Sequence, residues 1–548
     1  METVSFQQAY DVAAEHFNAG RMREAESVLL RILAQAKDHP DCLHMLGLAQ
    51  HQLGRGTAGV ELLRRAIDKS PQNAQFYANL SAVLSSLGDD EAAMKVAQRA
   101  AELDPNLAEA HNNLGNILRA KRQPLEAMDA FRKAIAARPD YPEAMHNLAT
   151  SLLDINQPDE AIPLINRVLE LRPNYPEALN ALGNAMQAKN RFQESLNAYR
   201  KAIALKPQYS DAYANLGHAM RAQNRLQEAM QSYQAALAIN PQSAEPMWAS
   251  GFVTLLQGDF IPGFNALEAR LFHRDKLASF AQPAWNGEDL QGKRILLVAE
   301  QGLGDTIQFA RYAPLIKARG ALVAMLCQTE LERLLKSCPG IDLVVADGKA
   351  TPTVDYRCPM MSAARVLKTT LQTAPNTVPY LAAEPELSNA WRERLQKVPP
   401  GLRVGVAWTG HPRHKNNINR SVPRDMMASL SRIDGVKIFS LQKGLEATPQ
   451  MIDWTESLQD MADTAAMIAN LDLVISADTA VCHLAGALAK PVWTVIPFAP
   501  DWRWLLDRAD SPWYPTMRLF RQPAIGDWAT PMTQVTAELT RLAGQTRR

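Results

Sequence analysis

The chain has 548 residues, of which 47% are hydrophobic and 21% are charged, and its formal net charge is +1. This length predicts more than one domain, and the balanced charge gives no support for a nucleic-acid-binding or membrane-surface protein. No apolar run reaches the roughly 18 residues of a membrane span, and residues 1–10 lack the pattern of a secretory signal. The five scattered cysteines indicate neither a disulfide framework nor a zinc site, so we expect a cytoplasmic protein.

The N-terminal half is predicted to be a helical repeat, because prolines recur every 34 residues. The register is kept at Pro71, Pro105, Pro139, Pro173, Pro207 and Pro241. A small residue lies ten positions after each proline, where two helices can touch closely, and the proline itself sets the turn into the next unit. The pattern resembles the tetratricopeptide repeat, a helix–turn–helix of 34 residues. The resemblance covers residues 1–270 and implies about seven to eight units.

Such units stack into an all-α superhelix with a concave groove, formed largely by the first helix of each repeat. Four asparagines share one position of that helix: Asn79, Asn113, Asn147 and Asn215. We predict that this ladder holds the backbone of an extended peptide. The alternative is that asparagine is merely common at this position of the repeat.

After a linker at residues 271–293, the sequence predicts an α/β fold. Apolar runs alternate with helix-like segments, which is typical of parallel sheets covered by helices. The predicted strands are 294–300, 321–328 and 343–346, and then 403–409, 436–441, 473–476 and 492–496. A break at Pro399-Pro400-Gly401 separates the two groups. Two Rossmann-like units, 294–398 and 399–548 with a terminal helix, would form the cleft of a GT-B fold.

The first candidate motif, Gly302-Leu-Gly-Asp305, lies between a predicted strand and a helix. Ile307 stands where a dinucleotide fingerprint would have its third glycine, so a nicotinamide-dependent dehydrogenase is not indicated. Gly302 and Gly304 allow a ligand to approach the backbone closely. Asp305 either caps the helix or acts as a general base that takes a proton from an acceptor hydroxyl. The two roles are compatible.

Loops after two strands of the second unit contain further candidates for donor binding. The loop 408–421 contains Lys415, Arg420 and Ser421, and its cations suit a diphosphate leaving group; the alternative is a solvated basic loop. Gln442 and Lys443 follow the next strand, again at the end where ligands bind in such sheets.

The stretch from Ser476 to Gly486 passes directly from a predicted strand into a helix, whose free N–H groups favour an anion beyond the strand. Asp478, Thr479 and Ala480 occupy the turn, and His483 lies one helical turn further on. We predict that they bind the donor diphosphate, with His483 as a phosphate or ribose ligand or a base. The alternatives are a satisfied core histidine and an aspartate that only caps the helix.

The chain contains no Asp-x-Asp pair, which argues against a carboxylate-bound divalent metal. We therefore expect no metal and no cofactor, with the nucleotide sugar as a substrate. Two aromatic segments, 500–504 and 511–515, are predicted either to stack on a base or sugar or to pack between the two domains.

Together, Gly302-Leu-Gly-Asp305, the Arg420-Ser421 loop and Asp478-Thr479-Ala-Val-Cys-His483 resemble the family 9 glycosyltransferases, the heptosyltransferases of lipopolysaccharide assembly. Those enzymes are metal-independent, inverting GT-B transferases. The resemblance implies that Asp305 is the catalytic aspartate and that Asp478, Thr479 and His483 form the nucleotide-sugar motif, with Ala480 in place of its glycine. Lys415 and Arg420 carry over from the basic loop. A repeat array fused to a GT-B half is also the plan of the O-GlcNAc transferases and of bacterial flagellin-type glycosyltransferases.

We therefore expect an enzyme that moves a sugar from a nucleotide sugar to a Ser or Thr hydroxyl of a protein held by the repeats. One alternative is a repeat scaffold or chaperone with a vestigial glycosyltransferase half. Another is a heptosyltransferase-like enzyme of lipopolysaccharide with an accessory array. Retention of Asp305, Lys415, Asp478 and His483 together favours the enzyme, and the array favours a protein acceptor.

Overall fold

A computed structural model describes residues 5–272, 280–411 and 416–546 of the chain. The chain divides into two compact units, Met1–Asn215 and Leu216–Arg548. The division falls inside the repeat helix Ser210–Arg221, so the last repeat helices belong to the same unit as the α/β part. The domain limits predicted at residues 270, 293 and 398 stay predictions.

The predicted tetratricopeptide-repeat fold is confirmed, since residues 6–267 form consecutive pairs of helices joined by short turns. These helices are Phe6–Asn18, Met22–Gln35, Pro40–Gln52, Gly56–Lys69, Ala74–Ser86, Asp90–Leu103, Ala108–Ala120, Pro124–Ala137, Pro142–Asp154, Pro158–Leu171, Pro176–Ala188, Phe192–Leu205, Ser210–Arg221, Leu226–Ile239, Ala244–Leu256 and Phe260–Leu267. The turn within each pair contains a residue in the left-handed conformation, and this residue recurs every 34 positions from Gly20 to Gly258. The backbone therefore follows the same period as the prolines.

Close packing within the pairs explains the small residues of the repeat. A Cβ atom placed on Gly115 would lie 2.5 Å from the Phe131 ring, and one on Gly217 would lie 2.5 Å from the Tyr233 ring. Phe131 and Tyr233 are fully buried. An aromatic ring of the second helix thus occupies the space that a side chain on the first helix would need, which fixes how closely the two helices pack.

The α/β part contains two parallel sheets, as predicted. The strands are β1 Arg294–Val298, β2 Leu322–Cys327, β3 Leu343–Ala346, β4 Tyr356–Pro359, β5 Leu402–Ala407, β6 Val436–Ser440, β7 Ile452–Asp453, β8 Leu473–Ala477, β9 Val492–Ile496 and β10 Met517–Arg521. The first sheet has the strand order β3-β2-β1-β4, and the second has the order β10-β9-β8-β5-β6-β7. The prediction missed β4, β7 and β10.

Helices cover both sheets. They are Leu303–Ala310, Ala313–Lys317, Glu332–Leu335, Ser362–Val366, Pro385–Gln396, Asn417–Arg420, Arg424–Ser429, Met461–Ala469, Ala480–Ala487 and Ala529–Thr546. The last of these packs its Val535 and Leu539 side chains into the core of the second sheet. Among the described residues, none of the helices combines the length and the apolar character needed to cross a bilayer.

The strand order changes direction once in each sheet, between β1 and β4 in the first and between β8 and β5 in the second. Open α/β sheets bind ligands beyond the carboxyl ends of the strands at such positions. The Gly302–Asp305 motif follows β1. The basic loop follows β5 and the Asp478 turn follows β8, and these two strands are paired through Ala407 and Ser476. All three candidate motifs therefore lie at the predicted ligand-binding edges.

A buried ion pair joins the end of the repeats to the first sheet. Arg270 follows the last repeat helix, and its guanidinium donates to the Glu300 carboxylate just after β1 at 2.7 Å. The two side chains are only 5% and 2% exposed. Residues 273–279 of the predicted linker lie outside the described part of the chain.

Candidate functional site

The Gly302–Asp305 motif, which follows the first sheet's strand β1, contacts the Asp478–His483 motif, which follows the second sheet's strand β8. The Leu303–Ala310 helix packs directly on the Ala480–Ala487 helix. A Cβ atom on Gly304 would lie 2.9 Å from His483 Cδ2 and 3.4 Å from Ala480 Cα. His483 therefore fills the space beside Gly304 that we had predicted for a ligand, and the glycine allows the two helices to touch.

Asp305 lies in the first turn of its helix but does not occupy the cap position. Gly302 is the N-cap residue, and its N–H donates to Asp305 Oδ2 at 2.9 Å. The second oxygen, Oδ1, accepts a hydrogen bond from Arg503 Nη2. The side chain remains 28% exposed. The carboxylate is thus held at both oxygens and still reaches the surface, which a general base requires.

Arg503 is a buried cation that the prediction did not single out. Its guanidinium donates to the carboxylates of Asp305 and Asp501 and to the side-chain oxygen of Gln308. Burial by itself lowers the pKa of an arginine, but the two carboxylates reverse this effect and hold the pKa of Arg503 above its usual value. The side chain is 8% exposed. Arg503 therefore remains charged next to the candidate base.

His483 is buried and neutral. Its Nδ1 shares a hydrogen bond of 2.9 Å with the Tyr514 hydroxyl, and its ring stacks on Trp504 with the centroids 5.3 Å apart. Burial, and then the positive charges of Arg503, Arg311 and Arg420, lower the pKa of His483 well below its usual value. Within the described part of the chain, Nε2 has no hydrogen-bond partner. This nitrogen is the one left to contact a ligand.

Thr479, and not Asp478, caps the Ala480–Ala487 helix. Thr479 Oγ1 accepts a hydrogen bond from the Val481 N–H at 3.3 Å. The alternative interpretation of Asp478 as a capping residue is therefore wrong. Burial, reinforced by the negative charge of Asp501, raises the pKa of Asp478 to about 6. At slightly acidic pH, Asp478 is therefore partly protonated, and it then competes less with a phosphate for the cations around it.

The ligand atoms of Asp478, Cys482 and His483 lie within 4.8 Å of one another, close enough to surround a metal ion. Cys482 Sγ, however, donates to the Thr479 carbonyl oxygen at 3.0 Å, and burial raises the pKa of its thiol. A metal ion would have to displace the proton of the Cys482 thiol from this hydrogen bond. The expectation that the site needs no metal stays a prediction.

The basic loop is closed by hydrogen bonds among its own side chains. Thr409 Oγ1 lies 2.6 Å from Ser421 Oγ and accepts from Asn417 Nδ2 at 2.9 Å. The Arg420 guanidinium lies directly against Gly410, and its charge acts on both Asp478 and His483. Ser421 thus shapes the loop, and Arg420 lies near the central motif. Lys415 is outside the described residues.

The loop after β6, which contains Gln442 and Lys443, supports the basic loop. Gln442 Oε1 accepts hydrogen bonds from the backbone N–H groups of Trp408 and Thr409, at 3.2 and 3.0 Å. Gln442 therefore braces the start of the basic loop. Lys443 donates to the Gln459 carbonyl oxygen at 2.9 Å. Among the described residues, no contact joins Lys443 to Asp305 or His483.

Two buried hydrogen-bond donors around the site have no acceptor among the described residues. They are Gln308 Nε2 and Arg420 Nε. Unpaired buried polar groups are uncommon in native proteins and each calls for an explanation. A surplus of donors rather than acceptors is suited to an acceptor-rich ligand such as a phosphate.

The four asparagines of the repeats hold neighbouring units together. Asn79 Nδ2 lies 2.8 Å from His44 Nε2, and Asn113 Nδ2 donates to the Ala78 carbonyl oxygen at 2.8 Å. Asn147 and Asn215 donate to asparagine side chains one unit earlier, each at 3.0 Å. A peptide-binding role for the ladder stays a prediction.

Beside Asn113 the first unit has a cavity of about 200 Å³ lined by Ser81, Ser85, Ser86 and Asn116. The Asn116 Oδ1 atom is buried and has no hydrogen-bond partner in the described part of the chain.

The aromatic segments are packed inside the protein. Trp502, Trp504, Trp513 and Tyr514 are each at most 2% exposed. Trp502 and Trp513 contact Phe260 of the last repeat helix, and the Trp513 and Phe260 rings stack 5.7 Å apart. These side chains are therefore packing residues, and part of their packing is against the last repeat helix, which the prediction of packing between the two Rossmann-like domains did not include.

Comparison with known proteins identifies the repeats. A tetratricopeptide-repeat family model matches residues 10–74, 44–108, 83–142 and 181–244, and another matches residues 118–185. The chain is 27% identical over 286 residues to Protein FlbA of Caulobacter vibrioides, covering 46% of this chain and 48% of that protein. The chain thus spans about half the length of this curated relative. The repeats indicate a protein-binding array.

Several solved structures are also similar to part of the chain. YrrB, described as a TPR protein with an unusual peptide-binding site, is 28% identical and covers 35% of this chain and 98% of its own, with a TM-score of 0.29. The APC/C hetero-tetramer Cut9–Hcn1 is 18% identical, covering 48% and 53%, with a TM-score of 0.41. PilF of Pseudomonas aeruginosa is 20% identical, covering 38% and 94%, with a TM-score of 0.34.

Proposed function

We propose that this protein is a glycosyltransferase that moves a sugar from a nucleotide-sugar donor to a Ser or Thr hydroxyl of an acceptor protein. The observation that carries the proposal is the meeting of the Gly302–Asp305 and Asp478–His483 motifs across the two sheets. Their contact lies beyond the carboxyl ends of β1 and β8, where α/β sheets bind ligands. The five cysteines are free and buried, which is consistent with action in the reducing cytoplasm.

In the proposed reaction, Asp305 is the general base. Its carboxylate takes the proton of the acceptor hydroxyl while the hydroxyl oxygen attacks the anomeric carbon, and the bond from that carbon to the phosphate oxygen breaks. Attack from the side opposite the leaving group inverts the anomeric centre. Two contacts orient Asp305 for this step, one with the Gly302 N–H and one with Arg503.

The leaving diphosphate gathers negative charge, and cations and helix N–H groups stabilise it. Arg420 lies beside the Asp478–His483 motif and has an unpaired Nε among the described residues. The N-terminus of the Ala480–Ala487 helix, capped by Thr479, adds its partial positive charge. We propose that these groups, together with Lys415, act without a metal ion. His483 would donate to or accept from the donor through Nε2.

The repeats would hold the acceptor. Tetratricopeptide-repeat arrays present long concave surfaces for other proteins. The cavity beside Asn113 is lined by several hydroxyl groups and by Asn116. Asn116 Oδ1 has no hydrogen-bond partner among the described residues, and it could accept a hydrogen bond from the N–H of a peptide backbone. This side of the proposal favours a protein acceptor over lipopolysaccharide.

One observation favours the scaffold with a vestigial transferase half as a second candidate. Both oxygens of Asp305 already have partners, since Oδ2 accepts from Gly302 and Oδ1 from Arg503. A base that is only paired and never released would be inactive. Each carboxylate oxygen can nevertheless accept a further hydrogen bond, so we rank the enzyme first.

The test uses the purified full chain, a panel of nucleotide sugars and co-expressed proteins. We expect one donor to be consumed, one protein to gain the mass of its sugar, and Asp305→Asn to lose about 100-fold or more in rate while still binding the donor. Asp425→Asn is the control, because that side chain is 88% exposed on the second sheet's side.

Each other outcome points to a different function. If no donor binds but proteins are still captured, the scaffold takes the place of the enzyme. Sugar transfer to purified lipopolysaccharide and to no protein would support the heptosyltransferase-like alternative. Turnover unaffected by Asp305→Asn would keep the enzyme and move the base elsewhere, with His483 as the next candidate.

A further inference from the structure

The segment Trp502–Trp504, which we call the Trp–Arg–Trp turn, touches three parts of the molecule in three consecutive residues. Trp502 packs edge-to-face on Phe264 of the last repeat helix, with the ring centroids 5.5 Å apart. Trp504 stacks on the imidazole of His483. Between them, Arg503 donates to the Asp305 carboxylate. The turn therefore connects the end of the repeats with both candidate catalytic side chains.

Each nitrogen of the Arg503 guanidinium donates one hydrogen bond, so three of its five N–H groups are paired. Nη2 donates to Asp305, Nη1 donates to Asp501 Oδ1 at 2.8 Å, and Nε donates to Gln308. The guanidinium is planar and presents its N–H groups in a rigid fork, so three fixed acceptors define its orientation. Asp501 is also the N-cap residue of the turn and accepts from the Arg503 N–H at 3.0 Å. The contacts with Asp501 and Gln308 thus hold Arg503 independently of Asp305, and Arg503 in turn orients the Asp305 carboxylate.

We propose that Arg503 is a positioning residue for Asp305, which holds the carboxylate in the orientation needed for proton transfer, and that the Trp–Arg–Trp turn makes this orientation depend on the packing of the last repeat helix. This inference rests on the proposed function, in which Asp305 is the base. It assigns to the turn a link between the protein-binding array and the reaction.

A role in binding the donor phosphate is the competing explanation, and the contacts argue against it. An anion at Arg503 would have to use the remaining Nη N–H groups beside the carboxylates of Asp305 and Asp501, whose negative charge opposes it. Arg420 has an unpaired Nε among the described residues and lies beside the same motif. Arg420 is therefore the cation available to the donor, and Arg503 is committed to the carboxylates.

Steady-state kinetics of Arg503→Met and Arg503→Lys separate the two roles. For a positioning residue we expect Arg503→Met to lower kcat about 100-fold with the donor KM changed by less than about 3-fold. Arg503→Lys should restore part of kcat, since it keeps the charge without the fork. Arg508→Met is the matched control: Arg508 pairs with Asp510 in the same segment, away from Asp305.

A rise in donor KM of about 30-fold or more with kcat retained would overturn the proposal and make Arg503 a donor ligand. An unchanged kcat in Arg503→Met would overturn it as well. Phe264→Ala should lower kcat in the same manner as Arg503→Met, whereas Ile261→Ala on the exposed face of that helix should not. Equal kinetics for these two variants would remove the link to the repeats.

The ion pair also has a test that needs no activity. We expect the melting temperatures of Asp305→Asn, Arg503→Met and the double variant to be non-additive, with the double variant less destabilised than the sum of the single ones. If the wild-type chain turns over no donor, the proposed function fails, and this cycle still decides whether Arg503 holds Asp305. Additive shifts would overturn the pairing. Should Arg503→Met fail to fold, Arg503→Lys replaces it in the cycle.

Discussion

The two motifs of the candidate site pack closely at Gly304, which leaves no room for a side chain beside His483. A Cβ atom at this position would meet His483 Cδ2 at 2.9 Å and Ala480 Cα at 3.4 Å. We therefore expect Gly304→Ala to lower the free energy of unfolding by about 1–3 kcal/mol through overpacking, even though alanine favours a helix. Urea denaturation followed by circular dichroism measures the change.

Gly302 provides the matched control for this prediction. A Cβ atom there would come no closer than 3.4 Å, to Asp305 Oδ2, and the backbone of Gly302 has φ −73°, which any residue adopts. Gly302→Ala should therefore cost well under half as much as Gly304→Ala. Equal losses for the two variants would show that the Gly304 contact with His483 is not what requires a glycine.

His44 predicts a pH dependence for the repeats. It lies between Phe76, with ring centroids 4.5 Å apart, and Asn79, and burial lowers its pKa to about 4. As the pH falls below 6.5, the unfolded chain takes up a proton that the folded chain refuses, so stability falls until about pH 4. Between pH 6.5 and pH 5 this loss amounts to about 2 kcal/mol.

The comparison of wild type with His44→Gln isolates this contribution. Gln keeps a polar partner for Asn79 and does not titrate, so its free energy of unfolding should fall about 2 kcal/mol less between pH 6.5 and pH 5. Identical pH profiles for the two proteins would mean that His44 is accessible to protons in the folded repeats.

Individual residues of the site were predictable only where sequence neighbours form the contact. Thr479 and His483 share one helix, and Asp305 lies three residues from Gly302, so a local pattern sufficed to select them. Arg503 pairs with Asp305 across 198 positions of the chain. The sequence around Arg503 showed only a dense group of aromatic residues, and nothing local indicated which carboxylate it would meet.

At the scale of elements, the last repeat helix and the Trp–Arg–Trp turn form one packed cluster. Phe264 is 1% exposed and contacts Trp502, whereas Ile261 on the same helix is 47% exposed. We expect Phe264→Ala to lower the free energy of unfolding by about 3–5 kcal/mol, and Ile261→Ala by less than about 0.5 kcal/mol. Denaturant unfolding of both full-length variants measures the difference.

An equal effect of the two substitutions would contradict the packing of this helix on the turn. A large loss from Phe264→Ala with unchanged near-ultraviolet circular dichroism would also do so, because removal of the ring that packs on Trp502 should alter the signal of that indole.

Strands were predictable where they are apolar and buried, as in β1, β2, β8 and β9. The missed strand β4, Tyr356–Pro359, is short and contains Arg357 and a proline, and β10, Met517–Arg521, alternates apolar residues with arginines at the edge of its sheet. The single helix predicted after Gly302 is divided at Arg311, because Pro314 lacks the N–H that would continue it. Tertiary pairing, rather than local preference, decided these elements.

At the scale of the whole molecule, the 34-residue period made the repeats the most predictable part of the chain. Each unit repeats the same small residues, turns and inter-helix contacts, so the fold follows from one unit and its copies. The division of the chain at Asn215 did not follow from the sequence, since the period continues through it without a break. Only the packing of the last helices on the α/β part produces that division.

The last prediction concerns a division of labour between the array and the sheets. If the cavity beside Asn113 holds the acceptor, Asn116→Ala should raise the acceptor KM about 3- to 10-fold, the cost of one hydrogen bond, and leave the donor KM unchanged. Its melting temperature should hardly change, because Asn116 Oδ1 has no partner among the described residues. Asn113→Ala removes bonds to Ala78 and Ser81 and should lose stability as well.

Kinetics with the protein acceptor and with a short peptide cut from it distinguish the possible outcomes. A defect of Asn116→Ala for the whole protein and not for the short peptide would place the recognition of the acceptor in the array. A defect for both acceptors would instead indicate a change at the site itself. An unchanged acceptor KM, with Asn113→Ala still destabilised, would leave the asparagine ladder a purely structural feature of the repeats, and the acceptor contacts would then have to be sought on the α/β part.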